Sequence, residues 1–235
     1  MTSPLYIWPP HPSSKMRIPP EELDRYERTG EYIAQPKYNG GRAVIIINNT
    51  HSDLPPLEIY SRHNEPFKNL KTTDSIRELF KTLDIKKYET VVLDGEFLGT
   101  KAVNKVSGKQ AVEETLVLFD ILFLNENLYQ MKQMYRLALL NQICREPEVF
   151  EPKKRALQVA THNSASLWLA PVFYEDFNYH FYNFYDFDDA GNDLWPEIEG
   201  LVLRRKNGLL KLGDKHYDTN ALLRCRKPSN RHGRF

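Results

Sequence analysis

Lys37-Tyr38-Asn39-Gly40-Gly41-Arg42, followed at once by the apolar run Ala43 to Ile47, sets a lysine in a tight glycine setting between strand-forming residues. From Tyr32 to about Tyr60 the chain favours strands, and Asn48-Asn49-Thr50 suits a turn. Taken by itself, Asn39-Gly40-Gly41 reads as an ordinary hairpin turn. The same glycines would let a ligand approach the backbone closely and would tolerate strained dihedrals. A lysine amine that attacks a phosphorus must be unprotonated, which calls for neighbouring positive charge or burial. Three downstream segments carry the carboxylates and cations such a lysine would need: Leu93-Asp94-Gly95-Glu96, Glu199-Gly200-Leu201-Val202-Leu203-Arg204 and Arg224-Cys225-Arg226-Lys227.

Outward from these segments the elements fall in mixed order. Residues 1–30 read as an N-terminal arm, proline-rich and then helical, because Pro19-Pro20-Glu21-Glu22 places prolines and acids where a helix begins. A helix is expected over Asp74 to Leu83, with Ile76, Leu79, Phe80 and Leu83 on one face, and a strand over Thr90 to Leu93. Leu116 to Phe123 reads as a buried strand, Tyr135 to Cys144 as a helix, and Leu167 to Phe173, Ile198 to Leu203 and Leu209 to Leu212 as strands. Tyr174 to Asp189, crowded with aromatics and acids, reads as a lid, an insertion or a partner surface. Strands and helices without regular alternation imply an α+β fold, mainly antiparallel sheets flanked by helices, filling residues 31–235 as one domain.

Composition narrows the function classes. A chain of 235 residues can bury a core of ordinary size. With 41% hydrophobic and 27% charged residues it has the make-up of a globular protein. It lacks an apolar stretch near the ~20 residues needed to span a bilayer, and its N-terminus does not resemble a secretory signal. A cytoplasmic location and no membrane partner are the expectation. Cys144 and Cys225 stand far apart, with neither disulfide nor zinc spacing, so two free thiols are expected. The net charge of +1 hides an uneven distribution. Between Arg204 and Arg234 lie Arg204, Arg205, Lys206, Lys211, Lys215, Arg224, Arg226, Lys227, Arg231 and Arg234, against Asp214 and Asp218 alone. Such clustering suits a polyphosphate or a nucleic-acid backbone, although the residues after Lys227 also read as a solvated basic tail.

Chemistry then attaches to particular side chains. Arg42 and the terminal arginines can lower the lysine pKa and screen phosphate. Glu96 and Glu199 are single carboxylates near strand ends that can converge on one Mg²⁺ or on a ribose hydroxyl. Phe119, in Leu118-Phe119-Asp120-Ile121-Leu122, can stack on a base. Alone, Asp94-Gly95-Glu96 is an ordinary strand-ending turn and Phe119 an ordinary core aromatic. Their fixed order is what joins them.

In that order the chain resembles the covalent nucleotidyltransferase superfamily of ATP-dependent DNA ligases, RNA ligases and messenger-RNA capping guanylyltransferases. Lys37 to Arg42 is similar to the K-x-D-G-x-R nucleophile box, and Tyr60-Ser61-Arg62-His63-Asn64 to the S-R-N segment of DNA ligases. Leu93 to Glu96, Leu118 to Leu124 and Glu199 to Arg204 resemble motifs III, IIIa and IV. Two departures stand out: Asn39 replaces the usual aspartate, and Arg224 and Arg226 replace the lysines of motif V, for which Lys211 with Lys215 is the weaker assignment.

The resemblance implies an adenylation domain of ATP-grasp-like type. It also implies ATP and Mg²⁺ (or Mn²⁺) as cofactors, a lysyl-AMP on Lys37, and sealing of a 3′-OH/5′-phosphate nick. Arg42 and Glu96 would hold the ribose, Phe119 would stack on adenine, Glu96 and Glu199 would bind metal, and Arg224 and Arg226 would grip phosphate. Arg62 would contact a nucleic-acid or AMP phosphate. Nicked duplex DNA is the expected partner, with RNA as the alternative and an inactive nucleotide- or nucleic-acid-binding module as the alternative from another class. A monomer without its own C-terminal oligonucleotide-binding barrel is expected. The chain is then a minimal catalytic domain, a protein whose barrel comes from a partner protein, or a fragment, and a compact ligase of this kind would suit phage DNA replication or repair.

Overall fold

The computed structural model describes residues 5–13, 15–50, 56–67, 74–98, 114–145, 156–162, 165–189, 193–211, 213, 215 and 217–228. The first elements in chain order are β1 (Pro10–Pro12), a 3-10 turn (Pro20–Glu22) that runs into α1 (Leu23–Arg28), β2 (Tyr32–Tyr38), β3 (Gly41–Asn48), β4 (Leu57–Tyr60) and α2 (Asp74–Phe80). The middle of the chain forms β5 (Thr90–Leu98), β6 (Thr115–Leu124), β7 (Glu126–Asn127), α3 (Gln133–Ile143), β8 (Leu157–His162) and β9 (Ala165–Leu169). The last are α4 (Phe177–Phe184), β10 (Ile198–Arg205), β11 (Tyr217–Thr219) and β12 (Leu222–Arg226).

The strands build a large sheet in the order β4-β3-β5-β6-β9-β8, with β7 on β6, a three-stranded sheet β12-β10-β2, and a separate pair β1-β11. The ladders are antiparallel except β6-β9 and β1-β11, which are parallel. This mixture of sheets and few helices agrees with the α+β expectation.

Two cores follow from the side-chain alternation of the strands. On the large sheet, Val44, Ile46, Val92, Leu93, Leu116 and Leu118 are fully buried together with Ile76, Leu79 and Phe80 of α2. On the small sheet, Leu201, Leu203, Leu223 and Cys225 turn one way, to meet Phe177, Phe181 and Phe184 of α4 and Leu23 of α1. The residues between them, Val202, Arg204, Arg224 and Arg226, turn the other way and line a cleft. The period of two thus gives the small sheet a dry back and a charged front.

Several local expectations change. Asn39 and Gly40 do not close a hairpin, because β2 pairs with β10 in one sheet and β3 pairs with β4 and β5 in the other. The dipeptide instead carries the chain from sheet to sheet. Asp94-Gly95-Glu96 is not a turn but lies inside β5, which runs five residues past Leu93 and pairs on both sides. No strand forms at Leu209 to Lys211, and Leu212 lies outside the described residues. The strand expected to run to Phe173 ends at Leu169, and the helix expected from Tyr135 begins two residues earlier at Gln133. Tyr174 to Asp189 is neither a loose lid nor part of the cleft. Its helix buries three phenylalanines against the back of the small sheet.

Candidate active site

A cleft of about 540 Å³ opens between the two sheets. Lys37 reaches it from β2, Arg42 from β3, Glu96 from β5, Phe119 from β6, Glu199 from β10, and Arg224 and Arg226 from β12, while Arg62 stands at its edge on the turn after β4. All eight residues singled out in the sequence line it. Lys211, the weaker motif V assignment, is exposed and does not; Lys215 is likewise exposed. Arg231 and Arg234 lie outside the described residues.

Lys37 sits near the end of β2, and its ammonium donates to Glu199 Oε2 at 2.5 Å. Register explains the meeting. Ile198 lies opposite Tyr38 and Gly200 opposite Lys37, so Glu199 is an extra residue in β10, and the bulge aims its side chain at the lysine. Gly200 has φ 135°, and a Cβ there would come within 2.1 Å of the Cys225 carbonyl oxygen, so glycine is needed for the bulge to lie on β12. Glu199 also meets Arg226 at 3.3 Å. The carboxylate is shared between two cations.

Gly40 brings the backbone against β5. Its N–H donates to Glu96 Oε1 at 3.0 Å, and a Cβ there would meet the Phe97 carbonyl oxygen at 2.3 Å. Burial pushes the Glu96 carboxyl up to about 7, even though Lys37, Arg42 and the Gly40 N–H all favour its charged form. The neighbouring Asn39 is buried and donates its backbone N–H to the Glu197 carbonyl at 2.8 Å.

Beneath the cleft lies a buried charge network. Arg42 donates to both oxygens of Asp94 and to the Pro10 carbonyl at 3.2 Å. Burial raises the Asp94 carboxyl, and Arg42 only partly offsets it. Asp120 accepts two bonds from Arg136 of α3, at 3.0 and 3.1 Å, and a longer one from Arg204 at 3.4 Å. Burial alone would raise Asp120, but these arginines hold it below the ordinary carboxylate value. Burial also brings Arg204 down to about 10. The guanidinium groups of Arg42 and Arg204 each approach the Phe119 ring, at 4.9 and 5.0 Å from its centroid. It too sits at a bulge, since Asp94 pairs with Asp120 and Gly95 with Leu118, leaving Phe119 over.

Residues that sequence reasoning missed complete the walls. Gln35 is two positions before Lys37 and therefore on the same face of β2; its Oε1 is buried and has no protein partner. Strand periodicity counted back from Lys37 is the signal that could have found it. Arg204, named in the sequence only as the end of the Glu199–Arg204 segment and a member of the basic cluster, is on the cleft face of β10, two residues after Val202. Pro9, Pro10, His11 and Pro12 also line the cleft, brought there by the β1-β11 ladder, which no local pattern announces. At the strand edge, Arg224 Nε and Arg226 Nε are buried and lack protein partners. Burial, with Arg226 and Arg17 nearby, lowers the Arg224 pKa.

Polar atoms without protein partners beside a cluster of cations fit a polyphosphate nucleotide. A divalent ion fits less completely: among the described residues no group of three or more His, Cys, Asp or Glu could hold one. Glu96 and Glu199 could supply one or two carboxylates, the number that Mg²⁺ takes when phosphate oxygens complete its shell.

A family model described as the ATP-dependent DNA ligase domain matches residues 14–174. No curated protein matches the chain. Among solved structures it is similar to Pmar-Lig_Pre, at 17% identity over 88% of this chain and 45% of that one, with a TM-score of 0.52. It also matches the ligase domain of M. tuberculosis LigD (15% identity, 82% and 52% covered, TM-score 0.48) and an RNA ligase of Naegleria gruberi (14%, 93% and 56%, 0.44). The chain spans about half the length of these structures.

Proposed function

Since the chain belongs to the ATP-dependent DNA ligase domain family, we propose that it seals 3′-OH/5′-phosphate nicks in duplex DNA through an AMP carried on Lys37. The observation that carries this reading is the convergence of Lys37, Glu96, Glu199, Arg224 and Arg226, from four different strands and two sheets, on one cleft.

In this reading the Lys37 amine attacks the α-phosphorus of ATP, an N–P bond forms, and the bond to pyrophosphate breaks. The amine must lose its proton first, and Glu199 is the carboxylate within hydrogen-bond reach to take it. Arg224 and Arg226, on the same face of β12, stand where charge on the phosphates would be met. The AMP then passes to the 5′-phosphate of the nick, and the 3′-hydroxyl displaces it. Positioning and charge compensation are what such transfers need from a protein. A divalent ion held by Glu199 and Glu96 together with the phosphates would neutralise charge on the leaving pyrophosphate.

Around the nucleoside, Arg42 and Glu96 would hold the ribose, and Phe119 would offer its ring to the base. Gln35, with a buried acceptor oxygen, is placed to hydrogen-bond a base edge. Arg62 would meet the nucleic-acid backbone or the AMP phosphate.

Incubation with Mg²⁺ and α-phosphate-labelled ATP tests the first step. Label should attach to the wild type and not to Lys37→Ala, and should be chased into a sealed strand by nicked DNA. A chase that works only with RNA strands would move the substrate to RNA. Failure to label at all would sink the proposed chemistry.

A further inference from the structure

The N-terminal segment does more than precede the domain. Tyr6 lies outside the cleft, yet its hydroxyl donates to the Ser61 carbonyl at 2.8 Å, across 55 positions of sequence. That carbonyl belongs to the turn that presents Arg62 and His63 at the cleft edge. The turn is closed by Asn64 N–H donating to the same carbonyl at 3.1 Å, by Ser61 N–H donating to Glu65 O at 2.8 Å, and by His63 N–H donating to Ser61 Oγ at 3.2 Å. Asn64 takes a left-handed φ of 56°, which asparagine adopts readily in a turn. Arg62 and His63 are exposed, and Arg62 Nε–H donates to His63 Nε2 at 3.0 Å.

Tyr6 itself is fixed. Only 8% exposed, its ring packs edge-on against Trp8 at 5.0 Å and Tyr60 at 6.0 Å. Past Trp8 the segment runs along the cleft as Pro9-Pro10-His11-Pro12. There the Pro10 carbonyl accepts from Arg42, β1 pairs in parallel with β11, and His11 Nδ1 lies 3.4 Å from Asp218. Three prolines in four residues restrict φ along this span. The segment is a stiff strut, tied at one end to the turn after β4 and at the other to β11.

We propose that Tyr6 is a positioning residue for nucleic-acid binding: through the Ser61 carbonyl it sets the Ser61–Asn64 turn, and so the direction in which Arg62 meets a phosphate of the duplex. This rests on the ligase reading above only in taking nucleic acid as the ligand. Tyr6→Phe keeps the ring and removes only the hydroxyl's bonds to this turn, to the Ser61 carbonyl and the Asn64 backbone, so packing is largely preserved.

The test is equilibrium binding of a fluorescein-labelled nicked DNA duplex by anisotropy, in EDTA to prevent turnover, over a range of salt. It compares wild type, Tyr6→Phe, Arg62→Ala and the double variant, with thermal midpoints measured alongside. Tyr6→Phe should weaken binding about fivefold, the size expected for a lost hydrogen bond. It should also lower the salt slope by about one, as loss of one phosphate contact does. In the Arg62→Ala background it should have no further effect. Additive losses, wild-type binding by Tyr6→Phe, or a weakening that follows a lowered thermal midpoint rather than the Arg62 background would overturn the proposal. So would a wild-type protein that does not bind the duplex. Absence of lysine adenylation with this coupling intact would instead overturn the proposed chemistry and leave the strut standing.

Discussion

Replacing Glu96 by glutamine keeps the acceptor for the Gly40 N–H and removes the charge, which isolates the cost of holding a carboxylate in the cleft wall. Burial raises this carboxyl from 4.5 to about 7. At ~1.4 kcal/mol per pH unit, ionising it in the folded protein costs about 3 kcal/mol more than in the unfolded chain. That figure is an upper one, because the cleft leaves the group partly solvated. The sign follows from proton counts. Below pH 4.5 both states hold the proton and the term is fully present. Between 4.5 and about 7 the folded state keeps a proton that the unfolded chain has released, so wild-type stability falls as pH rises; above about 7 the term is gone. Glutamine has no such proton. In urea unfolding at fixed ionic strength with EDTA, the stability of Glu96→Gln relative to wild type should therefore rise by up to about 3 kcal/mol between pH 4.5 and pH 8. Nucleotide binding should be lost at the same time, which would make Glu96 a residue kept for function against stability. A gap that stays constant over that range, or moves against the variant, would refute the reasoning.

Other outcomes follow from the same structure. Gly200→Ala, which must keep φ 135° and meets the Cys225 carbonyl at 2.1 Å, should lower stability by about 1–3 kcal/mol and disturb the Glu199 bulge; calorimetry and the adenylation rate check it. Arg136→Leu strips the buried Asp120 of its two shortest ion-pair bonds and should cost about 3–5 kcal/mol in denaturant unfolding. Burial pushes both Cys144 and Cys225 up to about 12, so neither thiol should react with a disulfide reagent at pH 8 until the protein unfolds. Lys37→Ala should abolish labelling by ATP while remaining folded, because Glu199 keeps Arg226 as a partner; a circular dichroism spectrum unlike the wild type would count against that.

Much of the site was legible because its residues sit in short segments whose chemistry is local. Lys37, Arg42, Phe119 and Glu199 stand on strands that apolar runs announce, Glu96 lies three residues past the end expected for one, and Arg224 and Arg226 stand on β12, where no strand was expected; all seven line one cleft. The geometry around them was less legible. Asn39-Gly40 carries hairpin residues, yet β2 pairs with β10, 160 to 173 positions on, and β3 pairs with β5, 42 to 56 positions on, as well as with β4, and turn chemistry cannot specify which sheet a strand joins. Asp94-Gly95-Glu96 looks like a turn for the same reason. A buried aspartate and a glycine inside a strand make sense only once Arg42 sits over the one and Val117 is close against the other. The acidic, aromatic segment stayed open between a lid, an insertion and a partner surface, because composition does not show that its phenylalanines, at 177, 181 and 184, face inward at helical spacing while the tyrosines at 179 and 182 remain exposed.

The two residues whose side chains most depend on register, Phe119 and Glu199, both occupy bulges. In a regular strand each would share its face with the residues two positions away. Glu199 would then lie with Leu201 and Leu203 in the dry core behind the small sheet, where a carboxylate without a partner would be costly. One extra residue in β10 removes that conflict and turns the carboxylate onto Lys37. The same residue commits Gly200 to a backbone that other residues rarely adopt. Alternation of apolar and polar residues records which face a strand buries but not where it skips a residue. The E-G pair inside an otherwise apolar strand is the trace such a bulge leaves in a sequence, a glycine where the backbone must turn and a charge where the pattern asks for none.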